Sequence, residues 1–378
     1  MRLPDISPLR AVEIRRFSQR LLIGAQLAKA SSFPFFFCIS FSRKGADFLR
    51  LLLLFSVLAL IFVNGWTDAP NAIAGVVATG SMPYRTAARM AAACNLSGAL
   101  LFCLLGGQVA KTIQNLSGFS QAAEGGLCAL AGCFLSVVLF AAAAWRWGIP
   151  TSESHGLMAG ILGSSLALGD ESAVCWQDWQ PVLAGLFLSL GLGFFLGWIL
   201  YRLAGSLLLR MGDRRLTGWQ KAGAAACAVM HGGQDGQKFA AMLGLAWSMA
   251  ENRPLAAGGG PHPGAAVLCA AIMGLGTLCG GRRIIQKTAV EMVKIDKSQG
   301  TAADLSSAAA LLVLSLMGLP VSTTHTKTAA LTGCAAARST SSVRLSIVGQ
   351  MLAAWLLTFP LCGLLSWLLT RFLLILMS

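Results

Sequence analysis

The sequence predicts an all-α polytopic membrane protein made of two inverted-topology repeats, with broken or re-entrant helices and about 10–12 membrane segments. Three observations predict it. Apolar runs of membrane length recur along the chain, two different polar motifs each occur twice in the same order, and matching loops of the two halves differ in charge.

The 378 residues are 56% hydrophobic and only 12% charged, with a mean hydropathy of +0.69. A soluble domain of this length carries far more charge on its surface. A helix needs about 20 apolar residues to cross a bilayer. From residue 47 onward such stretches recur, among them Leu51–Val63, Gly126–Ala144, Val182–Leu200 and Leu345–Leu365. The net charge of +14 does not point to nucleic acid, because no basic domain interleaved with aromatics exists. Lys and Arg concentrated in cytoplasmic loops account for it. The 11 cysteines form no Cys-x-x-Cys pair. Those inside apolar runs (Cys94, Cys103, Cys128, Cys133, Cys269 and Cys279) read as small packing residues, not disulfides or metal ligands.

Residues 1–46 stand apart. They carry Arg2, Arg10, Arg15, Arg16, Arg20, Lys29, Arg43 and Lys44 against Asp5 and Glu13, and the apolar patch Phe33–Ile39 is too short to span and holds Pro34. The charged stretch is too long for a signal peptide. It reads as a basic extension without an assigned role, consistent with a start codon placed too far upstream. Residues 47–210 then form the first transmembrane repeat, 211–221 a short cytoplasmic linker, and 222–378 the second repeat.

The repeats are legible in two motif pairs. Gly148-Ile-Pro-Thr-Ser-Glu-Ser-His155 is echoed by Gly318-Leu-Pro-Val-Ser-Thr-Thr-His325, and Gly163 by Gly333. Asn64-Gly-Trp-Thr-Asp68-Ala-Pro-Asn71 is echoed by His231-Gly-Gly-Gln-Asp235-Gly-Gln-Lys238. His325 lies 170 positions after His155, and Asp235 lies 167 after Asp68. Two motifs recurring at nearly one offset indicate duplication.

Loop charge gives the relative orientation. Arg282–Lys297 is strongly basic, whereas its equivalent near Asn115–Gly125 has only Glu124. Ala336–Ser346 holds Arg338 and Arg344, while its equivalent near Leu168–Asp178 holds Asp170, Glu171 and Asp178. Tyr84–Arg89 carries two arginines against a balanced Glu251–His262. Under the positive-inside rule, repeat partners then sit on opposite faces. The linker with Arg214 and Arg215 is cytoplasmic and the N-terminus extracellular, which leaves the basic extension at odds with the rule.

Polar residues at membrane depth cost several kcal/mol unless they are partnered, so they mark function. His155, His231, His325, Asp68, Glu153 and Asp235 all fall in the duplicated motifs. Gly65 and Gly232-Gly233 allow unwound backbone with carbonyls free for a cation, and Pro70 supports a helix break. Asp68 and Asp235 supply negative charge; Asn71, Gln234 and Gln237 supply neutral oxygens. The Pro-x-Ser-x-x-His segments suit an anion. A Pro-anchored run of hydroxyls precedes small-residue helices, Gly156–Leu166 and Thr326–Ala336, whose first turns offer unpaired N–H groups. Asp304 before Leu305 reads as a plain N-cap.

At these residues the chain resembles the inorganic phosphate transporter (PiT) family of secondary carriers. Asn64–Ala74 resembles its first Gly-x-x-Asp-x-x-Asn-Ala signature, His231–Lys238 the second, and Gly148–His155 with Gly318–His325 the paired Pro-x-Ser-x-x-His loops. Gly281–Lys297 is similar to a further basic loop of the family. The resemblance implies phosphate import across the plasma (inner) membrane, coupled to sodium or protons, by an integral multi-pass protein that is often a homodimer. By position, Ser152, Glu153, Ser154, Ser322, Thr323 and Thr324 would hold phosphate. Asp68, Asn71, Asp235 and Gln237 would serve the coupling cation, with a sodium ion at Asp68, Asn71 and Asp235. Asn64, His155, His231, Lys238 and His325 would support both sets. No cofactor, no nucleic-acid partner and no enzymatic activity are implied; the partners are phosphate, the coupling cation and lipid.

Three departures from the family pattern bear on mechanism. Glu153 stands where many members have Ser or Thr, inside the anion cradle, and points to a coupling proton or a neighbouring cation, favouring proton coupling or monobasic phosphate. Thr67 replaces a common Asn and weakens a sodium site. The linker of about 11 residues is short, as in bacterial members rather than eukaryotic ones. The rival readings are a permease for sulfate or another tetrahedral oxyanion, an anion channel, and a membrane-embedded hydrolase, which lacks a metal set or nucleophile at one site.

Overall fold

The computed structural model describes residues 44–116, 119, 123–147, 151–169, 174, 176–253, 263–280, 285, 295–339, 343 and 345–377. Residues 1–43 of the basic extension lie outside them, as do Gly148, Pro150, most of the Gly281–Lys297 and Glu251–His262 loops and part of the loop near Leu168–Asp178.

The first repeat opens with α1 (Lys44–Thr67), which stops at Asp68. A 3-10 turn, Ala69–Ile73, and a short α2, Ala74–Ala78, continue it. Pro70 sits in that turn, where its missing N–H removes one bond of the α-helical ladder. Then come α3 (Tyr84–Leu104), α4 (Gln108–Asn115), α5 (Ala123–Arg146), α6 (Glu153–Ala167) and α7 (Trp176–Arg210). The second repeat holds α8 (Asp213–Ala250), α9 (Pro263–Cys279), α10 (Lys297–Leu316), α11 (Thr323–Arg338) and α12 (Leu345–Met377). Met211 and Gly212 alone separate the halves, so most of the expected linker is the first turns of α8.

Among the described residues, 6 helical stretches are long and apolar enough to cross a membrane: α1 with its continuation, α3, α5, α7, α10 and α12. Adding α8, α9 and the half-helices α6 and α11 gives a set of the expected size. Lipid-facing side chains such as Phe187, Leu203, Leu356 and Ile375 are exposed on α7 and α12, as an apolar solvent requires.

The inversion is visible in α6 and α11. Their first turns meet, with the His155 and His325 rings 4.3 Å apart, and their far ends diverge. Arg338 at the end of α11 pairs with Asp296, next to Lys297, which pairs with Asp213 at the start of α8 at 2.6 Å. The end of α6 lies beside Gly125 at the start of α5, and Gly126 packs near Met249 at the other end of α8. At 1.5 Å per residue, the 38-residue α8 puts about 57 Å between those ends. One face thus gathers Arg210, Arg214, Arg215, Lys221, Lys297 and Arg338. It also holds the start of α3 with Arg85 and Arg89, tied in through Thr79, Ser81 and Gln220. That is the face the positive-inside rule places in the cytoplasm.

The repeats interlock by exchanging their last helices. α7 of the first repeat packs on α10 and α11 of the second, and α12 packs back on α5 and α6. Glycines at matching repeat positions let the helices approach closely. A Cβ on Gly163 would press on the Gly363 backbone, and one on Gly333 on the backbone of Phe194. Gly163→Val will therefore push α6 from α12 and destabilise the protein by about 1–3 kcal/mol. Thermal unfolding in detergent checks this; an unchanged midpoint would show that the helices tolerate separation.

The expected unwinding at glycines is not seen. α1 runs through Gly65, and α8 runs unbroken through Gly232-Gly233. The missing side chains serve close approach instead. Gly65 faces the Met273 carbonyl of α9, Gly232 faces the Asn95 backbone, and Gly233 faces the Phe102 ring of α3. Glycine permits both unwinding and tight packing, and only the neighbouring helix decides which. Asp304 is likewise not an N-cap. It lies inside α10, whose cap is Asp296: its carboxylate accepts from the Gln299 N–H at 2.9 Å, while Gln299 accepts from the Asp296 N–H at 3.2 Å.

Candidate functional site

The two half-helices begin alike. Ser152 and Ser322 are their N-caps, and each hydroxyl accepts from the N–H of the histidine three residues on at 3.2 Å. The helices start at Glu153 and Thr323, three residues before the positions expected. Ser154, Thr323 and Thr324 therefore lie in first turns, where free N–H groups and the positive helix end point the same way. Ser152, Glu153, Ser154, Ser322, Thr323 and Thr324 are all buried.

Against these starts lies the break after α1. Asp68 accepts hydrogen bonds from the Thr324 hydroxyl and, at 3.2 Å, from the Thr323 hydroxyl. Asn71, in the 3-10 turn, donates to Asp68 at 3.1 Å and to Thr324 at 3.1 Å. The middle of α8 supplies Asp235, which accepts from Asn64 at 3.3 Å and from Thr323 at 3.4 Å. His231, one turn earlier, places Nε2 3.4 Å from Asp235 and 3.9 Å from Asp68. One donor atom from each of Asp68, His231 and Asp235 lies within 4.8 Å of the others. Two carboxylates this close and fully buried repel strongly unless positive charge is shared between them.

Lys238 supplies part of that charge. Its Nζ donates to Asp235 at 2.6 Å, to the Ser154 hydroxyl at 2.7 Å and to the Val321 carbonyl at 2.5 Å. It thus ties α8 to the starts of both half-helices. Glu153 faces Thr67, the last residue of α1, whose hydroxyl lies 2.5 Å from Glu153 Oε1 and 2.7 Å from the Val63 carbonyl. His155 and His325 stack edge-to-face beneath the cradle, with Trp355 against His325 at 3.8 Å.

Of the residues that the sequence singled out, Asp68, Asn71, Asp235, Asn64, His231, Lys238 and the two hydroxyl runs come together. Gln237 does not join them. Its Oε1 accepts from the Val109 N–H at 3.2 Å, capping the start of α4, and its Nε2 donates to the Gly233 carbonyl at 2.8 Å. Gln234 turns to Ser315 and the Leu319 carbonyl. A helical α8 puts residues two apart on different faces, so Gln237 cannot follow Asp235. Sequence reasoning missed Lys327 and the Val321 carbonyl. The lysine was findable, as a charge within an otherwise small-residue helix at membrane depth; the carbonyl leaves no mark in the sequence.

Known proteins agree with this architecture. The phosphate transporter family is matched twice, over residues 64–219 and 213–366, one match per half. A protein of Mycobacterium bovis named "Probable low-affinity inorganic phosphate transporter" is 31% identical over 325 residues, covering 84% of this chain and 76% of that one. A Bacillus subtilis protein of the same name is 31% identical over 317 residues, covering 83% and 93%. A solved structure titled "The sodium-dependent phosphate transporter" shares the fold with a TM-score of 0.78 at 19% identity, over 87% of this chain and 99% of the other. With its duplicated motifs, apolar spans and two family matches, the chain belongs to the phosphate transporter family and is an integral multi-pass plasma-membrane protein, not an enzyme.

Proposed function

We propose that the chain is a secondary carrier that imports inorganic phosphate, with phosphate held by the two half-helix starts and a coupling cation held at Asp68 and Asp235. The observation that carries this reading is the sharing of Thr323 and Thr324 between the two places. Their hydroxyls belong to an anion-binding helix start, yet here they donate to the two aspartates. A phosphate arriving at that start draws those protons to its own oxygens. The carboxylates then lose their donors, and a cation between them becomes more favourable. Cation and anion each raise the other's affinity, which is the thermodynamic content of symport.

Glu153 adds a proton to the scheme. Thr67 has one hydroxyl proton but two acceptors within hydrogen-bond distance, the Val63 carbonyl and Glu153. A proton on Glu153 resolves the conflict and removes a charge that would repel phosphate. The carboxylate oxygens of Asp68 and Asp235 suit a hard cation such as sodium. Sulfate is the nearest rival substrate, and having no proton to donate, it would gain nothing from the acids.

Uptake of labelled phosphate into proteoliposomes, with sodium and proton gradients imposed separately, tests the reading. Accumulation under at least one gradient is expected, with sulfate a poor competitor. No accumulation under either gradient, with sulfate carried instead, overturns it.

A further inference from the structure

A second buried polar cluster lies one helical turn from the centre toward the basic face. Lys327 of α11 forms an ion pair with Asp304 of α10. Cys227 of α8 places Sγ 3.8 Å from Lys327 Nζ and 3.1 Å from the Ser307 hydroxyl. Asp304 Oδ2 is buried without a hydrogen-bond partner. The carboxylate faces the backbone of α2, where a Cβ on Gly75 would stand 3.5 and 3.6 Å from its oxygens.

Three elements of the centre also carry this cluster. Lys327 follows Thr324 by one turn, Cys227 precedes His231 by one turn, and Gly75 follows Asn71 by one turn. Another turn outward, Gln220 accepts from Thr79 at 3.0 Å and from Ser81 at 2.5 Å. A polar column thus leads from Thr323 and Asp235 to the basic face.

Among the described residues, the other half of the molecule has no such column. Moved by the 170-residue repeat offset, Asp304 and Lys327 fall on Phe134 and Leu157, both fully buried. The fold therefore closes that position with apolar side chains when only packing is required. A buried ion pair is no more stabilising than such a pair, because desolvation offsets the attraction. Something other than stability keeps a charge there.

We propose that Lys327 is a second, transient subsite for the transported oxyanion on the cytoplasmic side of the centre, and that Asp304 is an internal stand-in anion that fills it while the inner path is closed. This rests on the reading of the centre as a phosphate site. When the path opens, phosphate leaving the Thr323–Thr324 start meets the Lys327 ammonium and displaces Asp304. On release, Asp304 returns and closes the column. No bond forms or breaks; only ion-pair partners exchange.

The test is the double variant Asp304→Leu/Lys327→Leu, which gives this half the apolar solution of the other. It is expected to fold and to bind labelled phosphate in detergent as the wild type does. Uptake into proteoliposomes should slow about tenfold or more, the scale expected when a barrier is deprived of one charge-assisted hydrogen bond. Wild-type uptake by the folded variant would show the pair to be packing alone. If the double variant does not fold, Lys327→Arg decides. It keeps the ion pair but grips Asp304 with a two-pronged guanidinium, so uptake should fall while phosphate affinity holds; an unchanged rate overturns the proposal. Absence of phosphate binding in the wild type would instead overturn the central site, and is read separately.

Discussion

Asp235→Ala will abolish phosphate uptake and lower stability by about 3–5 kcal/mol. Asp235 and Lys238 are fully buried and 2.6 Å apart, so removing the carboxylate leaves an ammonium at membrane depth with only Ser154 and the Val321 carbonyl to solvate it. The same change takes one of two acids from the proposed cation site, and the acceptor of Asn64. Stability and transport can be separated. The double variant Asp235→Asn/Lys238→Gln removes both charges together, so its unfolding temperature will recover while uptake stays absent. Wild-type uptake by that double variant would remove Asp235 from the coupling mechanism.

Glu153→Gln will uncouple uptake from the proton gradient. Glutamine keeps the shape of the side chain and a neutral, fixed hydrogen-bonding group toward Thr67, as a permanently protonated Glu153 would. Phosphate still binds, since no charge is added to the cradle. In proteoliposomes, wild-type uptake will rise when the outside is made more acidic than the inside, because an inward proton gradient loads Glu153 from that side. The variant will respond to a sodium gradient alone. Full activity with an unchanged response to pH would mean that Glu153 carries no coupled proton and that its role is to hold the end of α1 through Thr67.

Much of the architecture was legible in the sequence. The duplicated Pro-x-Ser-x-x-His segments announced two helix starts, because proline, a hydroxyl cap and small residues restrict the backbone locally. Asp68 and Asp235 stood out because carboxylates are rare in apolar runs. Where local chemistry allowed two outcomes, sequence reasoning chose the wrong one. Gly232-Gly233 permits a broken helix or a tightly packed one, and the Asn95 backbone across from it selects the second. Asp304 suits a helix cap or a buried ion pair, and Lys327, 23 residues later on another helix, selects the pair. Gln237 has the right oxygen for a cation, but the unbroken pitch of α8 turns it to Val109.

The sequence by itself determined the membrane class, the two repeats, their inversion and the residues that make the centre polar. These depend on composition, periodicity and loop charge, which act over short stretches of chain. Only the tertiary structure decided which repeat is broken and which continuous, and which acid meets which cation. It alone showed that Thr323 and Thr324 donate to the two aspartates, that each repeat lends its last helix to the other, and that a buried Asp304–Lys327 pair stands where the repeat offset puts buried Phe134 and Leu157 in the other half. The residues that meet in this way stand as many as 256 positions apart along the chain. Their interaction energy depends on distance and burial in the folded chain, and neither quantity exists until the helices have packed.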